Sequence, residues 1–79
     1  MKEIIIEKII KIINSNIEGM GITEDDLDED LIELGMDSIT FIQIIVSLEE
    51  EFECEIPDSK LFIRDMNTVN KIVSIFKSI

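Results

Sequence analysis

The sequence of 79 residues contains no histidine, no tryptophan and no tyrosine, and its only cysteine is Cys54. Without histidine, the Ser-His-Asp and Cys-His arrangements of nucleophilic catalysis cannot form, nor can a zinc site with a histidine ligand. A single cysteine excludes an intramolecular disulfide, a four-cysteine zinc site and an iron–sulfur cluster. The three glycines are isolated, and none precedes a Lys-Ser or Lys-Thr pair as in a phosphate-binding loop. These absences predict that the chain is not an enzyme.

Basic residues are scarce as well. Seven Lys and Arg residues face eighteen Asp and Glu residues, which gives a net charge of −11 and a sequence pI of about 4.1. Binding to nucleic acid or to an anionic membrane requires clustered positive charge, whereas an acidic surface favours basic protein partners. No stretch resembles a signal peptide or is apolar over a membrane-spanning length. We therefore expect a cytoplasmic protein that binds no nucleic acid and does not insert into membranes.

Two long helices are predicted in the first two thirds of the chain. Isoleucines at helical spacing predict a first helix from residue 2 to about residue 14. A second is predicted from Ser38 to about Phe52, because Asp37 is a favourable N-cap residue before an apolar repeat. The buried face of the first helix is expected to contain Ile6, Ile9, Ile10, Ile13 and Ile17. That of the second is expected to contain Ile42, Ile45, Leu48 and Phe52, with Ile44 or Val46 beside them.

The segment between these helices, residues 18–37, is a long acidic loop. A connection of this length in a small domain is unusual, and we expect it to be functional or locally helical. Its apolar residues should hold it on the core, and they are Leu27, Leu31, Ile32, Leu34 and Met36. After Pro57, a short helix is predicted from Asp58 or Ser59 through Ile63.

A last helix is predicted after Asn67 and Thr68, which are expected to cap it. Its apolar face should contain Val69, Ile72, Val73 and Phe76. The elements together predict an all-α fold, a small four-helix bundle with three long helices, one short helix and a long loop between helices 1 and 2. With 46% hydrophobic residues and no linker or repeat, the chain is expected to be one free-standing, monomeric domain over residues 1–79.

Three runs of residues make the chain recognisable, namely Leu34-Gly35-Met36-Asp37-Ser38-Ile39, Leu48-Glu49-Glu50-Glu51-Phe52 and Ile56-Pro57. In these runs, and over essentially its whole length, the chain resembles the acyl and peptidyl carrier protein family. The resemblance implies that Ser38 carries a 4′-phosphopantetheine arm from coenzyme A, whose thiol holds substrates as thioesters. It also implies that Asp37 contacts a metal ion during this modification. The local sequence is consistent with attachment at Ser38, because an Asp37 cap leaves the Ser38 hydroxyl free at the positive end of the helix dipole.

The partners implied by the resemblance are a phosphopantetheinyl transferase, an adenylating ligase that loads an acyl or aminoacyl group, and condensing or tailoring enzymes with basic docking patches. The docking face implied beside the arm contains Ile39, Val46, Glu49, Glu50 and Glu51. A solvated helix surface also explains the three glutamates. Phe41 lies at the border of the expected buried face, and the sequence assigns it neither to the core nor to the surface.

The residues after the serine bear on the pathway. Fatty-acid carriers usually continue with Leu-Asp, whereas this chain has Ile39-Thr40, which favours a discrete carrier of a nonribosomal peptide or polyketide-type specialised pathway. A fatty-acid carrier and a D-alanyl carrier are alternatives, and residues 62–70 resemble the D-alanyl carriers. An alternative of another class is an acidic helical adaptor without a prosthetic group.

Asp26, Asp28 and Asp30 match the first three ligand positions of a calcium-binding EF-hand loop. Leu31, however, occupies the position that requires glycine, which argues against a dedicated calcium site.

Cys54 has no cation or base beside it in sequence, so the pKa of its thiol is expected to be normal or raised.

Overall fold

The computed structural model describes the backbone of residues 2–77 and the side chains of residues 5–77. It contains three α-helices, α1 (Lys2–Asn16), α2 (Ser38–Phe52) and α3 (Val69–Lys77). Three short 3₁₀ turns lie between them, at Glu24–Asp26, Asp58–Lys60 and Ile63–Asp65. No strand occurs in the described part of the chain, and the predicted all-α class is confirmed.

Helix α1 packs against both α2 and α3, and the core lies between the three helices. Its isoleucines at helical spacing are the reason, since they place one apolar stripe towards the other two helices. Ile9, Ile13 and Ile17 are buried, while Ile6 and Ile10 are partly buried at the edge of the stripe. The face predicted for the first helix is therefore confirmed.

The bounds predicted for α2 are confirmed, but the residues predicted to face the core are partly wrong. The buried residues are Phe41, Ile44, Ile45 and Leu48. Ile42, which was expected in the core, is 48% exposed, whereas Phe41 is only 3% exposed. Apolar residues occupy most positions from 39 to 48, so the sequence is compatible with two neighbouring stripes. In the structure the stripe that contains the larger Phe41 side chain is the one packed into the core.

The predicted short helix after Pro57 is replaced by two 3₁₀ turns. The backbone leaves the helical region at Leu61, with φ −89° and ψ 64°, and at Phe62, with φ −111° and ψ 120°. This extended step lets Leu61 and Ile63 pack against the core while Phe62 is 57% exposed. A continuous helix would not separate these side chains in this way.

The cap and the apolar face predicted for the last helix are confirmed. Thr68 Oγ1 accepts a hydrogen bond from Lys71 N–H at 3.1 Å, the geometry of an N-cap. Val69, Ile72 and Val73 are buried on one face, and Phe76 is partly buried. The Phe76 ring meets the Phe52 ring edge to face, with centroids 5.4 Å apart, where α3 and the end of α2 approach each other.

The long loop before α2 is folded against the helices. Asn14 anchors its beginning, because its Nδ2 donates to Ile22 O at 3.0 Å and its Oδ1 accepts from Ile22 N–H at 3.1 Å. Of the five apolar residues expected to hold the loop on the core, Leu31 and Met36 are buried and Leu27 is partly buried. The other two, Ile32 and Leu34, are exposed, since residues 31–35 form a tight turn that directs them outwards.

Candidate functional site

Ser38 is the first residue of α2 and is exposed to solvent at the end of the long loop. Gly35 and Met36 fix the turn of the backbone that leads from the loop into α2. Met36 is 2% exposed, and its N–H donates to Leu31 O at 2.9 Å, which fixes the end of the loop on the core. Gly35 has φ +125°, a conformation in the left-handed half of the map that side chains with a Cβ rarely adopt. The serine therefore stands at a well-defined turn from loop to helix.

Asp37 is the N-cap residue of α2 and forms a reciprocal capping box with Thr40. Asp37 Oδ1 accepts a hydrogen bond from Thr40 N–H at 2.8 Å, and Thr40 Oγ1 accepts one from Asp37 N–H at 2.9 Å. The Thr40 N–H, and after it the Thr40 hydroxyl, stabilise the carboxylate and lower the pKa of Asp37 below its ordinary value. Sequence reasoning did not assign Thr40 to the site, although the Asp-x-x-Thr spacing is that of a capping box.

The hydroxyl of Ser38 is not used by the fold. Because Asp37 caps the helix, Ser38 Oγ forms no hydrogen bond with any group of residues 5–77. It lies at the end of α2 where unpaired N–H groups and the positive end of the helix dipole favour a negatively charged group. The arrangement therefore presents a free hydroxyl to solvent, at a place where a negatively charged group such as a phosphate would be favoured.

An apolar stripe runs along the exposed side of α2, beginning one residue after Ser38. Ile39, Ile42 and Val46 are 70%, 48% and 46% exposed. Their spacing of three and four residues places them on one face of the helix, away from the buried face. Ile39 and Val46 were predicted as docking residues, whereas Ile42 was predicted to lie in the core and is instead exposed. We call these three residues the α2 stripe.

The three glutamates near the end of α2 differ in their surroundings. Glu50 and Glu51 are exposed. Glu49 is half-buried, and its Oε2 accepts a hydrogen bond from Ile56 N–H at 2.8 Å. Glu50 and Glu51 therefore point their charge at solvent, while Glu49 also holds the segment that follows the helix.

Negative charge is concentrated in the part of the chain that surrounds Ser38. Between Lys11 and Lys60 the sequence contains fifteen acidic residues and not one basic residue. This segment includes the long loop and all of α2. A surface of this kind attracts positively charged proteins from a distance and repels polyanions.

The three aspartates that match the calcium-binding pattern each accept a hydrogen bond from a different part of the protein. Asp26 Oδ2 accepts from Thr23 N–H at 2.9 Å, Asp28 Oδ1 from Asn70 Nδ2 at 2.7 Å, and Asp30 Oδ1 from Asn67 Nδ2 at 3.0 Å. Across the residues that the structure describes, no three Asp, Glu or Cys side chains are grouped as a metal site. The geometry of the loop gives the calcium alternative no support.

Cys54 lies in the segment after α2 and is partly buried. Partial burial, and then the nearby Glu49 carboxylate, raise the pKa of the Cys54 thiol. This confirms the expectation of a normal or raised pKa. The thiol is therefore a weak nucleophile at neutral pH.

Within residues 2–77, none of the helices combines the length and hydropathy needed to cross a bilayer.

Comparison with known proteins matches residues 7–76 to the family model described as phosphopantetheine attachment site. The chain is also 42% identical over 69 residues to the D-alanyl carrier proteins of Lactococcus lactis subsp. cremoris strains MG1363 and SK11. Each match covers 86% of this chain and 86% of the relative. No solved structure matches the chain significantly.

The family model covers most of the chain, and its matched region includes the exposed serine, all of α2 and most of α1 and α3. Members of this family are carriers rather than catalysts in general, and they work with phosphopantetheinyl transferases and loading enzymes. The chain therefore belongs to the phosphopantetheine attachment site family and is a carrier protein with a covalently attached 4′-phosphopantetheine group.

Proposed function

We propose that Ser38 is the attachment residue and that the protein carries a D-alanyl group. The observation that carries the assignment of Ser38 is its exposed hydroxyl, which no other described group engages, in the first turn of α2. The residues present fit the group, because the positive end of α2 suits the phosphate of the arm. When bound, the group supplies the thiol that holds the cargo. Asp37, ionised beside the serine, is the residue we propose to contact the metal ion during modification.

The choice of cargo is supported by the relatives. D-alanyl carrier proteins share 42% identity with this chain over 86% of its length, and residues 62–70 resemble theirs as well. This favours the D-alanyl alternative over the nonribosomal peptide, polyketide and fatty-acid pathways. We place this function in the cytoplasm, where coenzyme A and ATP are available, with residues 1–79 acting as one monomeric domain.

The α2 stripe and the glutamates next to it form the proposed docking surface. The stripe offers exposed apolar area beside Ser38, and Glu50 and Glu51 add negative charge at its far end. A transferase or adenylating ligase with an apolar patch ringed by Lys and Arg would match both features. Such binding should weaken as salt is added, because screening acts on exposed charges.

The assignment of Ser38 is tested by intact mass after incubation with coenzyme A, Mg²⁺ and a broad-specificity phosphopantetheinyl transferase. We expect one added phosphopantetheine in the unchanged protein and none in Ser38→Ala. Ser47→Ala is the matched control, since Ser47 is a second serine on α2, nine residues further along. An unmodified folded protein, or modification of Ser38→Ala, would contradict the assignment and favour the adaptor alternative.

The cargo is tested on the modified protein with ATP and the ligase that loads the Lactococcus lactis D-alanyl carrier protein. We expect a hydroxylamine-sensitive mass increase of one alanyl group with D-alanine, and little with L-alanine or acetate. Loading by an adenylating enzyme of a peptide pathway, together with no loading by this ligase, would contradict the D-alanyl proposal while leaving the Ser38 assignment intact.

A further inference from the structure

The loop that leads to Ser38 is joined to the beginning of α3 by backbone hydrogen bonds. Leu31 N–H donates to Asn67 O at 2.8 Å, and Asn70 N–H donates to Leu27 O at 3.1 Å. These contacts connect segments about forty residues apart in sequence. The loop is therefore attached to α3 as well as to α1.

Two side-chain hydrogen bonds reinforce this attachment. Asn67 Nδ2 donates to Asp30 Oδ1 at 3.0 Å, and Asn70 Nδ2 donates to Asp28 Oδ1 at 2.7 Å. Both acceptors are carboxylates, and hydrogen bonds to charged acceptors are shorter and stronger than neutral ones. Both carboxylates also lie at the N-terminal end of α3, where the helix dipole favours negative charge. We call these two pairs the loop–α3 pairs.

A chain of contacts leads from α3 to the serine. Leu31, which donates to Asn67 O, accepts a hydrogen bond from Met36 N–H at 2.9 Å. Leu31 is completely buried and Met36 nearly so, so both ends of this turn are fixed on the core. Asp37 and Ser38 follow Met36 directly. Hydrogen bonds and the covalent chain thus connect α3 to Ser38. Detaching the loop from α3 is therefore expected to destabilise the turn from Met36 into α2, which positions Ser38.

We propose that Asn67 and Asn70 are positioning residues for the modification of Ser38. They hold the loop so that the turn from Met36 into α2 stays formed before the transferase binds. When the pairs are broken, the turn from Met36 into α2 is formed in only a fraction of the molecules, and the apparent affinity of the transferase is multiplied by that fraction. Once the transferase is bound, the turn is formed, so the rate at saturation is unchanged. This inference rests on the function proposed for Ser38.

The test is steady-state transfer of phosphopantetheine from coenzyme A to Asn67→Ala/Asn70→Ala. We expect its KM as the protein substrate to rise roughly threefold to tenfold, which lies within the range of energetic coupling through such networks, with kcat unchanged. Asn16→Ala is the matched control, because Asn16 Nδ2 donates to Ile12 O at 2.8 Å within α1. The control should have the KM of the unchanged protein. Circular dichroism checks that each variant is folded at the assay temperature.

Reversing one pair provides a rescue experiment. Asn70→Asp alone places a second carboxylate against Asp28, so KM should rise at least as much as in the double alanine variant. Asp28→Asn/Asn70→Asp restores an amide-to-carboxylate hydrogen bond with donor and acceptor exchanged and with the same net charge. We expect its KM to return to within about twofold of the unchanged protein.

The outcomes separate the two proposals. If the unchanged protein is not modified, the function proposed for Ser38 fails and the inference loses its basis. If the unchanged protein and Asn67→Ala/Asn70→Ala are modified with the same KM, the positioning role is wrong while the function stands. A fall in kcat at unchanged KM, or no rescue by the reversed pair, also overturns it. If the double variant does not fold, Asn70→Ala is judged by the same criteria, since it leaves the Asn67–Asp30 pair intact.

Discussion

The carboxylate of Glu49 accepts a hydrogen bond from Ile56 N–H at 2.8 Å, across the turn that ends α2. The backbone carbonyl of the same residue accepts hydrogen bonds from the N–H groups of Glu53 and Cys54. Glu53 is in the left-handed conformation at φ +51°, which reverses the chain direction after the helix. Glu49 therefore supports this reversal with both its backbone and its side chain, and it is not equivalent to its neighbours Glu50 and Glu51.

We predict that Glu49→Ala lowers the free energy of unfolding by about 1–2 kcal/mol, because it leaves the N–H of buried Ile56 without its acceptor. Glu50→Ala should change it by less than about 0.5 kcal/mol, as at an ordinary surface position. Urea denaturation followed by circular dichroism measures both. Equal values for the two variants would show that the Glu49 hydrogen bond does not stabilise the fold.

A second prediction tests which face of α2 is buried. Ile45→Ala should lower the free energy of unfolding by about 2–5 kcal/mol, because Ile45 is 1% exposed and its loss leaves a cavity. Ile42→Ala should cost less than about 1 kcal/mol, since Ile42 is 48% exposed. In the loading assay, Ile42→Ala should raise KM because it removes the middle of the α2 stripe. A large loss of stability in Ile42→Ala would place that residue in the core.

The third prediction concerns pH. The pKa of Asp37 in the folded protein lies below the ordinary value of about 3.9. Its ionised form therefore stabilises the fold above that pH, and the stabilisation is lost as the pH falls through the lowered pKa. The unfolding free energies of the unchanged protein and of Asp37→Asn should differ by a constant amount from pH 5 to 7 and converge below about pH 4. A difference that does not change with pH would contradict this. Thr40→Val, which removes the hydroxyl donor and keeps the Thr40 N–H, should show an intermediate dependence.

The fourth prediction concerns the turn before the serine. Gly35→Ala should lower the free energy of unfolding by about 1–2 kcal/mol, because its φ of +125° is strained for any residue with a Cβ. No heavy atom lies within 4 Å of the added Cβ, so the loss reflects backbone strain rather than a clash. Gly21→Ala is the control, since Gly21 has no positive φ and its surroundings are also open. Similar losses in both variants would argue against strain at Gly35.

The helices and their starting points were predictable from sequence because their signals are local. The Asp37 cap, the start of α2 at Ser38 and the Thr68 cap of α3 all involve residues within one helical turn of each other. The isoleucine spacing of α1 is a local pattern in the same sense. Ser38 could be singled out before the fold was known because the runs of residues around it resemble the carrier protein family, and a cap at Asp37 agrees with a free hydroxyl at Ser38.

The contacts that hold the site in place depend on residues distant in sequence, and these only the tertiary structure decided. The hydrogen bonds of Asp28 and Asp30 to the start of α3 join residues 42 and 37 positions apart. No local pattern predicts such pairs, because the sequence does not distinguish the carboxylates of the acidic loop that form hydrogen bonds from those that remain in solvent. The buried face of α2 was undecided for a related reason. Several neighbouring positions are apolar, and only the packing of the whole core determines that Phe41 is buried while Ile42 is exposed.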